Sequence, residues 1–126
     1  MRQLSLTRLL WFDGLAALVA GLVILSLRQF LSSLLGFPLW LLVLQGGINL
    51  CYAAYSLSLA RREHRPRWML WTLAVGNMAY AAFAFVLLCA FFPTCTAWGV
   101  AFFVAEILTV GGLGVLEALI FRRLSL

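Results

Sequence analysis

Lysine is absent from this sequence, histidine occurs once and acidic residues only four times. The single histidine, His64, excludes a haem held by two histidines of the chain. A zinc site is excluded as well, because it needs three or four good ligands together. The three cysteines form no CxxC and have no cationic neighbour to stabilise a thiolate, which argues against a redox-active pair. There is no GxGxxG, no P-loop, no GxSxG and no HExxH. Serine, histidine and acid never gather into a catalytic set. No catalytic residue, cofactor or metal is therefore expected.

The basic residues are nine arginines, giving a net charge of +5. They collect at the ends of apolar runs and form no stripe, so nucleic acid is not the expected partner. An arginine-only basic set fits a GC-rich bacterial genome.

Apolar residues are what the chain has in excess. They make up 65% of it, with a mean hydropathy of +1.07, against about 45–50% apolar in soluble domains. A core built from 126 residues cannot hide that much apolar surface from water. The bilayer is the expected solvent, and a single domain is expected.

A membrane span needs about 20 mostly apolar residues. Four runs qualify, at 9–27, 38–60, 68–92 and 97–121. The first has no small-residue cleavage site after it and reads as a retained span. Gly36 and Pro38 supply a stop and a start. RREHRPR at 61–67 is the one fully polar segment, and FFPTCT at 91–96 is a short turn. Arg2 and Arg8 precede span one, Arg61, Arg62, Arg65 and Arg67 separate spans two and three, and Arg122 and Arg123 follow span four. The positive-inside rule puts all three groups on the cytoplasmic side, with both termini. Only Arg28 is left outside. Trp11, Trp40, Trp68, Trp71 and Trp98 fall near span ends, as interfacial anchors do. The expected fold is all-α, a four-helix transmembrane bundle in a bacterial inner membrane. In the first outer loop Phe30, Leu31, Leu34 and Leu35 fall at helical spacing opposite Ser32 and Ser33. That pattern fits a short interfacial helix or an ordinary amphipathic connector.

The chain also aligns on itself. With SLARR of span two over LIFRR of span four, Gln45 falls on Glu106. With span one over span three, Asp13 falls on Asn77. The chain thus reads as two helical hairpins of one orientation, which could pack about a pseudo-twofold axis along the membrane normal.

Polar residues inside the spans carry the candidate site. Asp13 shares a helix face with Ala16, Ala17, Ala20 and Gly21, and small residues let helices approach in lipid. Gln45, Asn49, Tyr52 and Ser56 form one stripe on span two. Span three offers Gly76, Asn77, Tyr80 and Ala84. Span four carries Glu106 and Glu117, eleven residues or about 16 Å apart, with Gly111, Gly112 and Gly114 between them for close packing or local unwinding. An acid inside a membrane is costly to insert, which makes each one a functional candidate. The plainer alternatives are electrostatic anchoring of Asp13 and Glu117 at Arg8 and Arg122, and helix-to-helix hydrogen bonding by the stripe. Cys51 reads as a small core residue. Cys89 and Cys95 flank the outer turn, where either a disulfide or two free thiols fit.

LLGFP at 34–38, followed by an apolar helix with Gly46 and Gly47, resembles the small four-helix DoxX-like membrane proteins. Over most of its length the chain also resembles a broader set of uncharacterised bacterial four-helix membrane proteins. These share an early aspartate, here Asp13, a GN pair in helix three, here Gly76 and Asn77, and a polar residue in helix four, here Glu106. The resemblance implies a membrane bundle. Because DoxX proteins are linked to thiol and sulfur redox complexes, it also implies an accessory subunit of such a complex. Nothing else in the sequence points to redox chemistry.

Two further functions fit the residues themselves. One is a non-enzymatic membrane protein that binds a lipid-like ligand or a partner subunit in a polar-lined groove. Its lining would be Asp13, Gln45, Asn49, Tyr52, Asn77, Tyr80 and Glu106, with Glu117 nearby. The other is a small proton- or cation-linked transporter using the same carboxylates. Four helices seldom enclose a pathway alone, so that function would need a homo-oligomer.

Overall fold

The structure, a computed structural model, describes residues 2–62 and 64–124, with side chains over 6–62 and 64–123. The topological weight placed on the Arg2 side chain, and Glu63 of the polar segment, lie outside that description. The elements are α1 (Arg2–Ser26), α2 (Arg28–Leu35), α3 (Leu39–Arg61), α4 (Arg67–Phe91) and α5 (Ala97–Leu124). Stretches of four of them are long and apolar enough to cross a membrane: Leu6–Ser26, Leu39–Arg61, Arg67–Phe91 and Ala97–Arg123.

Each break has a local cause. Pro38 and Pro66 precede α3 and α4 in extended conformation (φ −60° and −58°). A proline has no N–H to give an upstream turn, and its fixed φ suits the start of a helix. Leu27 interrupts the α1–α2 junction at φ −107°, ψ 20°. Gly36 ends α2 in the left-handed region at φ 77°, and its N–H donates to Ser32 O at 3.0 Å. A Cβ there would also stand 2.7 Å from Thr94 O. The segment between the first two spans is thus an eight-residue helix, and it turns inward. Leu35 is buried beside Phe37 while Phe30 faces out. Thr96 fastens it: its N–H donates to Leu35 O at 3.0 Å and its hydroxyl to Leu34 O at 2.7 Å.

The spanning helices run up-down-up-down. α1 packs most closely on α3, and α4 on α5, so the two hairpins expected from the sequence are the two tight pairs. Gly21 sets the α1–α3 approach. A Cβ on it would meet Gly46 O at 3.0 Å and Leu50 Cδ2 at 2.9 Å. α3 and α4 stand farther apart and are bridged by phenols. Tyr52 donates to Leu73 O and Tyr55 to Met69 O, both at 2.9 Å. α5 is one continuous helix, so its glycines do not unwind it. Gly114 packs on α4, and Gly112 meets nothing.

Two apolar layers close the ends of the bundle. At the arginine-rich end lie Leu6, Leu10, Leu59, Leu70, Leu73 and Phe121. At the other lie Ile24, Leu35, Phe37, Leu41, Leu42 and Phe103. Arg65 ties off α3 by donating to Leu59 O (2.7 Å), Ala60 O (2.9 Å) and the Thr7 hydroxyl (3.0 Å). Carbonyls left over at a helix end are satisfied in this way. The outward faces remain apolar, with Phe12, Leu15, Val19, Val75, Val86, Leu108 and Leu119 exposed, as lipid contact requires. Trp40, Trp68 and Trp98 are exposed at span ends, whereas Trp71 turns partly inward onto Phe121 at 6.2 Å. Cys51, Cys89 and Cys95 are free thiols, and Cys51, expected in the core, is exposed on α3 instead. The disulfide allowed by the sequence is not formed, because Cys89 faces outward while Cys95 packs toward Phe37 and Phe103.

Candidate functional site

Between the two apolar layers the interior is polar. Asp13 of α1, Gln45 and Ser56 of α3, Asn77 of α4 and Glu117 of α5 are all buried. They sort into two groups along the bundle.

The group toward the α2 end centres on Glu106. Tyr80 donates its hydroxyl to Glu106 Oε1, and Gln45 Nε2 donates to Oε2 at 3.5 Å. Asn49 donates to the backbone carbonyl of Gln45 at 2.9 Å. Both oxygens of this carboxyl group therefore have protein donors. Gln45 Oε1 is left with none.

The group toward the arginine-rich end centres on two acids. Asn77 Nδ2 donates to Glu117 Oε1. Asp13 and Glu117 are neighbours here, with Asn77 beside both. Asp13 Oδ2 and Glu117 Oε2 are buried without a donor. Two carboxylates cannot donate to one another, so this contact is attractive only with a proton or a cation supplied to it. The sequence allowed these acids to reach the interface and Arg8 and Arg122. Instead they are 3% and 0% exposed and turned to the bundle axis.

The pairs equated by the internal alignment meet across the bundle. Gln45 touches Glu106, and Asp13 reaches Asn77. Equivalent residues meet in this way when they lie close to a twofold axis.

A cleft of 350 Å³ lies between these groups, within the range of about 300–1,000 Å³ typical of small-ligand sites. Asp13, Asn49, Tyr52, Asn77, Tyr80 and Glu106 line it. Gln45 and Glu117 stand behind that wall, so six of the eight candidates reach the cleft and two support those that do. Ser56 serves packing instead, donating to Leu10 O at 3.0 Å. Apart from Thr109, the rest of the lining is apolar and comes mostly from α1 (Ala16, Ala20, Val23) and α5 (Phe102, Ala105, Leu113), with Leu31 of α2 and Ile48 of α3. The exposed members of the lining, Ala16, Val23, Ala105 and Thr109, belong to α1 and α5, so the cleft opens between those helices. Thr109 also lines the cleft and was missed by sequence reasoning. Its place three residues after Glu106, on the same helix face, was the available signal. On the opposite side a second, apolar groove of 610 Å³ lies between α3 and α4, with Tyr52 as the partition. Among the described residues no cluster of His, Cys, Asp or Glu is fit to hold a metal.

The fold and this interior define a multi-pass, all-α membrane protein of four spanning helices. No protein-family model, curated protein or solved structure matches the chain.

Proposed function

We propose that this protein binds a lipid-like ligand in the cleft between α1 and α5, without catalysing a reaction on it. The observation that carries the reading is the cleft itself. It has buried polar side chains at its wall, and its exposed lining residues, mostly apolar, belong to α1 and α5. An amphiphile could enter from the bilayer, leave its hydrocarbon among Ala16, Ala20, Val23 and Phe102, and set its head against Asp13 and Asn77. We place the arginine-rich end on the cytoplasmic side of a bacterial inner membrane, by the positive-inside rule.

A proton- or cation-linked transporter remains the alternative, since carboxyl groups succeed one another along the interior. The apolar layers at both ends weigh against it, because an axial path for ions would have to cross them.

Native mass spectrometry after extraction in mild detergent tests the binding reading. An adduct in the mass range of a single-chain lipid should survive washing. Ala105→Trp, which fills the mouth from a lipid-facing position, should remove it. An adduct retained unchanged by that variant would place the ligand elsewhere, and a bare chain in both would defeat the reading.

A further inference from the structure

The hydrogen-bond inventory of the cleft is lopsided. Each phenol and one N–H of each amide is committed: Tyr80 to Glu106, Asn77 to Glu117, Asn49 to Gln45 O and Tyr52 to Leu73 O. Beyond the second amide N–H groups and the Thr109 hydroxyl, what remains are acceptors. Asp13 Oδ2, Glu117 Oε2 and Gln45 Oε1 are buried without a donor. Asp13 is 3% exposed and lines the cleft directly. No arginine or histidine is among the lining residues. A buried acceptor without a donor is costly, and a buried carboxylate without a counter-charge more so.

Resting on the α1/α5 cleft as the binding site, we propose that its ligand is a single-chain amphiphile with a protonated amine head, bound through Asp13. An ammonium group brings three donors and a positive charge to a place lined by no basic side chain. Its first donor meets the Asp13 carboxyl group at the cleft wall. A phosphate or carboxylate head would bring more acceptors and negative charge to acceptors already in surplus. A neutral hydroxyl offers one donor and no charge. The 350 Å³ volume suits one hydrocarbon chain rather than two. The wall from Ala16 to Leu113 supplies the apolar surface for it.

The test uses the full chain in phosphatidylcholine nanodiscs, with empty nanodiscs subtracted. Equilibrium binding is measured for dodecylamine, dodecan-1-ol and dodecanoate, which share one chain length. The expected result is that dodecylamine binds at least about ten-fold more tightly than the alcohol, with dodecanoate weakest. Asp13→Asn should bring amine and alcohol to parity, and Ala20→Trp should remove binding of both. Equal binding of amine and alcohol to the unmodified protein overturns the amine assignment and leaves the cleft reading standing. So does a preference that survives in Asp13→Asn. If no probe binds, or Ala20→Trp changes nothing, the cleft reading falls with it. The comparison on the unmodified protein decides the matter even where Asp13→Asn does not fold.

Discussion

Asp13 and Glu106 are both acids inside a membrane bundle, yet their surroundings differ in kind. Glu106 has a donor for each oxygen, from Tyr80 and Gln45. Asn77 donates to Glu117 with Asp13 beside them, and one oxygen of each acid has no donor. Sequence reasoning made Glu106 the strongest functional candidate and gave the other two an interfacial anchoring alternative. Geometry distinguishes them: the Glu106 carboxyl group ties α5 to α3 and α4, whereas Asp13 and Glu117 each keep a buried oxygen without a donor. Asn77 is then the residue on which the inner group depends. Asn77→Leu should lower stability by about 1–2 kcal/mol by stranding Glu117 Oε1. Adding Glu117→Leu should recover much of that loss, since removing both partners leaves nothing unpaired. Reversible unfolding in mixed micelles measures both variants. Equal stability of Asn77→Leu and the unmodified protein would mean that this hydrogen bond carries no weight.

Among the elements, α2 shows how a motif read as a family resemblance acts as structure. In LLGFP, Leu35 and Phe37 are buried, Gly36 makes the left-handed turn, and Pro38 starts α3. Phe37 packs on Phe103 at 4.6 Å and on Phe91 at 6.1 Å. Gly36→Ala should cost about 1 kcal/mol or more, since a Cβ is strained at positive φ and here also meets Thr94 O. The apparent melting temperature in detergent should fall, with helix content by circular dichroism unchanged at low temperature. An unchanged melting temperature would show that the turn relaxes freely. The helical spacing of Phe30, Leu31, Leu34 and Leu35 was legible in the sequence. That Thr96 would stitch α2 to the far turn was not, because those residues are 62 positions apart along the chain.

For the whole molecule, the question is which end faces which compartment. All described arginines except Arg28 lie at one end of the bundle. If that end is cytoplasmic, a cysteine at His64 in a variant lacking Cys51, Cys89 and Cys95 should resist a membrane-impermeant maleimide in intact spheroplasts. It should react once they are broken. A cysteine at Thr94 in the same background should react in both. The reverse pattern would invert the topology and rule out the positive-inside assignment.

Spans, breaks and inward faces were determined by the sequence itself, because they rest on local properties: runs of apolar side chains, prolines without an N–H, and the helical repeat. Asp13, Asn77 and the stripe of α3 were placed correctly toward the interior on that basis. Only the tertiary structure decided which polar groups became partners and where the interior opened. Those outcomes depend on the spacing between helices, which is a matter of side-chain volume across each interface. Gly21 and Gly46 let α1 and α3 close up, whereas Tyr52 and Tyr55 hold α3 from α4. The divergence of α1 from α5 leaves the cleft into which Asp13 faces.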